Sequence, residues 1–446
     1  MRAIRVISAV AAAGLIAAVT ACTGGSASTA GNPAAAQSPG SSASGAGHGA
    51  GTGAAATAPA ASASPSPSPS GPVVTITPEN GTSAADPSRG ITVTAAGGTL
   101  KDVGVTGGGA PVPGSYSAGR TSWHSTWALG VGESYSVTAV AATAAGVTST
   151  TTSAFRTLRP NAMFTAEIFE GYKQTYGVGM PVIITFSQPI TDRAAVERAI
   201  VLQTSKPVTG AWYWDGDKTL DFRPRDYWPA HTTVSFTGHF DGVKAGAGLY
   251  GHHTLTQTFT IGDSVIAVAS TKTHKTQIYL NGKLKYDWPI SSGKPGDATP
   301  DGSYLTIEKA NPVRMVGPGY NLLVPWSVRF TFSGDYYHDA YWSVGQQGFE
   351  NVSHGCVNLA PANAETYYKL AVPGDPITIS GSPKAGKWDN GWTEWFLSWP
   401  QLLKGSATGE AVVANAQGSK FVSPASLPAD KSKAPLATAA AGNATA

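Results

Sequence analysis

The sequence predicts a mainly β protein: two β-sandwich modules in series, then a third β-rich domain with a short helix and a tryptophan-rich end. Three observations predict it. Between residues 72 and 262, short runs alternate apolar residues with Thr or Ser at period two. Gly, Pro and Asn-Gly punctuate those runs. Helical patterning is short and scattered: residues 191–200, residues 361–371, and the spacing of 3 and 4 between Trp392, Trp395 and Trp399.

The N-terminus carries Arg2 and Arg5, then the apolar run "VISAVAAAGLIAAV", then "TAC". That is the order of a secretory signal, and the run is short for a membrane span, which needs roughly 20 apolar residues. "VTAC" resembles a bacterial lipobox, which implies cleavage after residue 21 and a lipid on Cys22. An ordinary signal peptide with a chance cysteine is the plainer alternative. Residues 22–71 are Ala, Gly, Ser, Thr and Pro with little to bury, and "SPSPSPS" (64–70) is extended by composition. The expectation is a disordered tether holding the folded part off the outer face of a cell membrane.

Residues 72–157 ("VVTITP", "GITVTAA", "SYSVTAVA") form the first expected sandwich. Residues 158–262 ("PVIITF", "KTLDFRP", "TTVSFTG", "LTQTFTI") form the second, interrupted by a short helix at 191–200 with Thr191 as N-cap. Neither contains a cysteine, so neither has the inter-sheet disulfide of antibody domains. From 263 to 381, "SVIAVAS" and "QIYLNGKLKYDWPI" predict strands turned at Asn281-Gly282, and "PANAETYYKLA" predicts a helix opened by Pro361. Residues 382–405 hold Trp388, Trp392, Trp395 and Trp399. Stacking on sugar is one reading of these rings, and packing against the second sandwich is the more ordinary one. Residues 406–446 return to Ala, Ser and Gly and predict a disordered tail.

Charged residues are 13% of the chain and the net charge is +3. Nothing in this balance suggests a nucleic-acid groove or a supercharged surface, and no nucleic-acid partner is expected. There are two cysteines. If Cys22 carries lipid, Cys356 has no partner in the chain, and an unpaired thiol in an exported protein points to reactivity or an intermolecular bond. Burial as a small hydrophobe is the bland alternative. A thiol attacks as thiolate and needs an imidazole nearby. His354 and His338 are candidates, two and 18 residues before Cys356. If "SHGCVN" were a strand, His354 and Cys356 would share a face and Gly355 would admit close backbone approach. His338, on a separate strand, can reach the sulfur as a base. A zinc site from His338, His354 and Cys356 lacks any ligand-spacing motif, so no metal and no cofactor is expected. His252 and His253 read as a solvent-facing loop, and His124, His231 and His274 have no partner motif.

The stretch "SHGCVN" (353–358), with His338 upstream, resembles the signature of the L,D-transpeptidase (YkuD) family. The resemblance extends over residues 319–368, and the preceding sandwiches and the Trp-rich segment are similar to the Ig-like and C-terminal parts of the actinobacterial members. It implies Cys356 as nucleophile and His338 as general base and acid. Ser353, His354, Gly355 and Asn358 complete the motif, and the backbone carbonyl of Asp339 orients His338. Tyr320 matches a lid tyrosine and Trp342 a pocket aromatic.

The implied reaction is acyl transfer in the cell wall. Cys356 would attack a peptidoglycan stem tetrapeptide, with the oxyanion held by backbone N–H groups near Gly355 and Cys356. D-alanine would leave, and the amine of a second stem would resolve the thioester as a 3→3 cross-link. With water as acceptor the enzyme would be an L,D-carboxypeptidase. A dead catalytic fold on a wall-binding lipoprotein is the non-enzymatic alternative. The expected partners are stem peptides and, through Cys22, the membrane; the chain is expected to act as a monomer.

Overall fold

The computed structural model describes residues 71–317 and 320–428. The expected signal, the expected lipid site Cys22 and the expected tether to residue 70 lie outside the described residues. Among the described residues, no helix is long and apolar enough to cross a membrane.

The chain is mostly β. The first sandwich packs the sheet of Val73–Thr77, Thr92–Ala96, Ser122–Ser125 and Gly114–Tyr116 on that of Ala110–Pro111, Thr99–Gly107, Ser134–Ala142 and Thr148–Arg156. The period-two pattern predicts which side chains meet: Ile76, Val93, Leu100, Val137 and Phe155 are buried while their Thr and Ser neighbours face outward.

The second sandwich holds the larger core, with Trp212, Phe222, Trp228, Phe236 and Phe259 each almost fully buried. Its helix is Arg193–Arg198 with Asp192 in the cap position, rather than a helix capped by Thr191. The Thr191 hydroxyl instead donates to the Ala245 carbonyl at 3.3 Å, a tertiary bond that no local pattern predicts.

The expected tail from residue 406 is also corrected. Ala411–Asn415 pairs antiparallel with Val208–Asp215, and Gly418–Val422 pairs outside it, so the chain end supplies two strands of the second sandwich's six-stranded sheet. Ala411, Val412 and Ala414 are buried there. Composition misled because small residues read as linker when their partner strand is 200 residues away. Buried Glu197 fixes the entry to these strands. It accepts from Trp214 Nε1 (2.8 Å), Ser406 Oγ (2.8 Å), Ala407 N (2.7 Å) and Thr408 Oγ1 (3.0 Å). Residues 429–446 lie outside the described residues.

The third domain has a five-stranded sheet in the order Lys283–Pro289, Lys275–Leu280, Val265–Ser270, Pro376–Ser380, Gly302–Leu305. Asn281 and Gly282 turn the first hairpin, both at positive φ (49° and 79°), as a type I′ turn requires. A second sheet runs Glu308–Ala310, Ser327–Arg329, Tyr336–Asp339, Val357–Leu359. The helix Pro361–Leu370 covers their shared core through Ala364 and Tyr367. A separate hairpin, Val313–Gly317 with Tyr320–Val324, pairs with neither sheet.

The second sandwich meets this domain backbone to backbone. Gly177 N–H donates to the Pro373 carbonyl at 2.8 Å and Gly179 N–H to that of Gly374 at 2.9 Å. A side chain at Gly177 would meet Asp375 N at 2.2 Å, so glycine permits the approach. The tryptophan-rich segment packs across the same seam. Trp395 donates to the Gly179 carbonyl at 2.7 Å and lies on Tyr227, while Trp392 packs on Phe169. Trp395 makes its contacts from a short 3₁₀ turn at Glu394–Phe396, Trp392 from the bend before it, and an α-helix begins only at Trp399.

Candidate active site

Two strands bring His338 and Cys356 into one cleft. Tyr336–Asp339 and Val357–Leu359 run parallel, with His338 opposite Asn358. Parallel neighbours need a long crossover, and residues 340–356 provide it. Alternation along the first strand sends Tyr337 into the core, where its ring meets Tyr367 at 4.9 Å, and His338 to the other side. Burial of a ring this size contributes roughly 1.5–3 kcal/mol. The anchor that fixes the histidine strand is therefore the residue next to the histidine.

His338 is buried, and its Nδ1 lies 2.7 Å from the Asp339 carbonyl oxygen. A carbonyl only accepts, so Nδ1 carries the proton and Nε2 is left with its lone pair. Burial lowers the imidazole pKa to about 4, against a smaller opposing effect of the Asp339 bond. The ring is neutral at neutral pH, as a proton acceptor must be. Trp342 stacks on it at 5.9 Å.

Cys356 does not lie in a strand, so the premise of a strand through "SHGCVN" fails. The strand starts at Val357, and Gly355 has φ 129°. A Cβ on Gly355 would sit 2.3 Å from Asp335 Oδ1, so only glycine fits this bend. The bend is held at three points. Ser353 Oγ donates to the Cys356 carbonyl (2.6 Å) and accepts from Gly355 N–H (3.2 Å), and Thr299 Oγ1 donates to the Gly355 carbonyl (2.7 Å). The Gly355 N–H is thereby occupied, which removes it from the expected oxyanion donors.

The thiol lies 3.9 Å from the Gly334 carbonyl oxygen. Burial, then the charge of Asp335, push its pKa up to about 12, against a backbone N–H of Tyr336 that favours the thiolate. The resting pair is therefore a neutral thiol and a neutral imidazole.

His354 is exposed and differently engaged. Lys294 Nζ lies 2.8 Å from its Nε2, and an ammonium only donates, so that lone pair is taken. Its ring lies 5.1 Å from Tyr320. Asn358 Nδ2 donates to Ser343 Oγ at 2.9 Å, and the Asn358 backbone bonds with Ser291, which ties the crossover to the cysteine strand.

The cleft has a volume of about 350 Å³ and is walled by Met315, Tyr320 and Leu322 of the separate hairpin, with Trp342, Gln346 and Val352 opposite. Tyr320 and Trp342 thus line the same cleft as Cys356 and His338. Burial and the neighbouring Cys356 raise the Tyr320 hydroxyl pKa. Among the described residues, no group of three or more His, Cys, Asp or Glu could hold a metal ion. His252 and His253 are exposed, their Nδ1 atoms 3.0 Å apart.

Sequence reasoning missed Lys294, Thr299, Asp335 and Ser343. Each reaches the site through a loop or a parallel pairing. The Asp335 carboxyl is buried and its pKa raised, with Oδ2 accepting from Thr331 Oγ1 (2.7 Å) and Ser333 Oγ (3.2 Å).

An L,D-transpeptidase catalytic domain matches residues 264–379, and a bacterial Ig domain matches residues 82–244, reaching from the first sandwich into the second. L,D-transpeptidase 2 of Mycobacterium tuberculosis is 33% identical over 343 residues, 73% of this chain and 84% of that protein. L,D-transpeptidase 1 of the same species is 40% identical over 215 residues, 46% of this chain and 80% of that protein. A solved L,D-transpeptidase from Mycobacterium smegmatis is 33% identical, covering 49% of this chain and 100% of the other at a TM-score of 0.40. With sandwich modules preceding a matched catalytic domain, and a relative aligned over most of its own length, this chain belongs to the L,D-transpeptidases.

Proposed function

We propose that this protein forms 3→3 cross-links between peptidoglycan stem peptides through a thioester on Cys356. The observation that carries the reading is the placing of a tautomer-fixed imidazole, His338, in the same cleft as the only cysteine among the described residues.

Both partners start neutral, so sulfur–carbon bond formation and proton transfer run together. Cys356 Sγ attacks the carbonyl between the third and fourth residues of a stem tetrapeptide as His338 Nε2 takes the thiol proton. The Cys356 N–H stabilises the oxyanion, since Gly355 N–H is already bonded. His338 returns the proton to the departing D-alanine nitrogen. The amine of a second stem then attacks the thioester, loses a proton to His338, and the sulfur leaves as thiol. Asp339 acts through its carbonyl, Ser353 and Asn358 hold the nucleophile bend and strand, and Tyr320 and Trp342 wall the acyl group.

A lipid on Cys22 would keep the enzyme at the outer face of the membrane, the folded part working in the wall at the end of the tether. Incubation with a soluble tetrapeptide and analysis of the muropeptides tests the reaction. Cross-linked dimer with released D-alanine is expected. Tripeptide alone would make the enzyme an L,D-carboxypeptidase. No turnover by folded protein would make it a wall-binding lipoprotein.

A further inference from the structure

We propose that Asp335 receives the acyl acceptor: its free carboxylate oxygen binds the incoming ammonium beside the thioester and takes the first proton from it. This rests on the reading that Cys356 carries an acyl group to an amine.

The geometry is specific to one oxygen of the carboxylate. Oδ2 is held by the hydroxyls of Thr331 and Ser333, and the Asp335 backbone N–H donates to Thr331 Oγ1 at 2.8 Å. Oδ1 has no hydrogen-bond partner among the described residues, although Asp335 is only 8% exposed. It is aimed at the nucleophile bend: a Cβ on Gly355 would stand 2.3 Å from it. The residue before it, Gly334, offers its carbonyl to the Cys356 sulfur at 3.9 Å. Residues 334–335 therefore run alongside residues 355–356.

The nearby cations do not satisfy it. Arg329 donates to the Thr331 and Phe332 carbonyls and pairs with Glu308, and Lys384 makes no salt bridge with Asp335. Both cations favour its ionised form, while burial opposes it. An unpaired carboxylate here is costly, because burial strips water from it and both hydroxyl bonds fall on Oδ2, leaving Oδ1 without a partner. An ammonium arriving beside it removes that cost and is desolvated in place.

The proton balance requires such a group. An alkyl amine is an ammonium at neutral pH and has no lone pair to attack with. One N–H proton passes to Asp335 Oδ1, giving a carboxylic acid and a free amine. The nitrogen attacks the thioester carbon; the C–N bond forms and the C–S bond breaks. The second proton goes through His338 Nε2 to the leaving sulfur. Asp335 then returns its proton to solvent.

The test compares two nucleophiles competing for the same acyl-enzyme of the full-length protein. One is the diamino-acid side chain of a stem tripeptide, cationic at neutral pH. The other is hydroxylamine, which is uncharged there. In Asp335→Asn, the ratio of peptide adduct to hydroxamate is expected to fall by roughly 10- to 100-fold, the range of one charge-assisted hydrogen bond. Asp335→Glu is expected to recover part of the ratio. An unchanged ratio in Asp335→Asn, or equal loss with both nucleophiles, would reduce Asp335 to a support for the bend. A wild type that never forms an acyl-enzyme would instead overturn the proposed function itself.

Discussion

His338 Nδ1 lies 2.7 Å from the carbonyl oxygen of Asp339, and that contact decides which ring nitrogen can accept a proton. The ring needs no carboxylate to set its tautomer, because the residue after it supplies the acceptor from the main chain.

The first prediction is a pH profile. Catalysis needs the neutral imidazole, whose pKa burial lowers to about 4, and the thiol is pushed up to about 12. The rate of acylation is expected to be flat from about pH 6 to pH 9, falling only as pH drops toward the imidazole pKa. A rise centred near the ordinary thiol value of about 8.5 would mean that a preformed thiolate attacks. The same histidine makes folding pH-dependent. Between its ordinary pKa near 6.5 and about 4, the unfolded chain binds more protons, so stability falls as pH drops through that window, by about 3 kcal/mol in all.

His338→Ala is expected to slow acylation by about 10²–10⁴. His354→Ala should cost much less, because the His354 lone pair is already occupied by Lys294. Stopped-flow acylation by a carbapenem, with circular dichroism to establish folding, separates the two. Greater loss at His354 would reverse the assignment of the base.

Cys356→Ala removes one sulfur and leaves the hydroxyl bonds that hold the bend, since Ser353 and Thr299 bind backbone carbonyls. Intact mass spectrometry should find a carbapenem adduct on the wild type and none on the variant. An adduct of equal yield on both would place the nucleophile elsewhere.

Gly355→Ala puts a methyl group against Asp335 and forces φ 129° on a residue with a Cβ. The bend must move, at a cost of order 1–3 kcal/mol. Acylation should fall at least tenfold, while a denaturant midpoint reads the stability loss. Pairing this change with Asp335→Ala should recover stability, since the clash is with that side chain; no recovery would locate the strain in the backbone alone.

Glu197→Ala leaves the Trp214, Ser406, Ala407 and Thr408 donors without their acceptor. Stability should fall by about 1–3 kcal/mol for each buried donor left unsatisfied. Hydrogen exchange should rise first at residues 411–422. Protection there equal to the wild type would show that strand pairing alone holds the chain end.

The period-two runs made the sandwiches legible, because each strand buries alternate residues in its own module. The candidate nucleophile Cys356 was legible in the six residues of its motif, but the bend at Gly355 was not, because the same residues also read as a strand. The Asp335 carboxylate was not, since its closeness to Gly355 arises from parallel pairing across a long crossover. Nor were Ala411–Asn415, whose small side chains gain meaning only against Val208–Asp215. Thr191 had the chemistry of a helix cap, but a carbonyl from Ala245 competed for its hydroxyl.

The return of residues 411–422 to the second sandwich sets the order in which the molecule can be assembled. A chain emerging N-terminus first has completed its first sandwich and all of the transpeptidase domain before the last two strands of the second sandwich exist. Until then, the open edge of Val208–Asp215 has no neighbour on that side. The transpeptidase domain is thus an insertion within a sandwich, joined to it by two passages of the backbone. The last strands to be made therefore complete a module whose first strands were made before the transpeptidase domain.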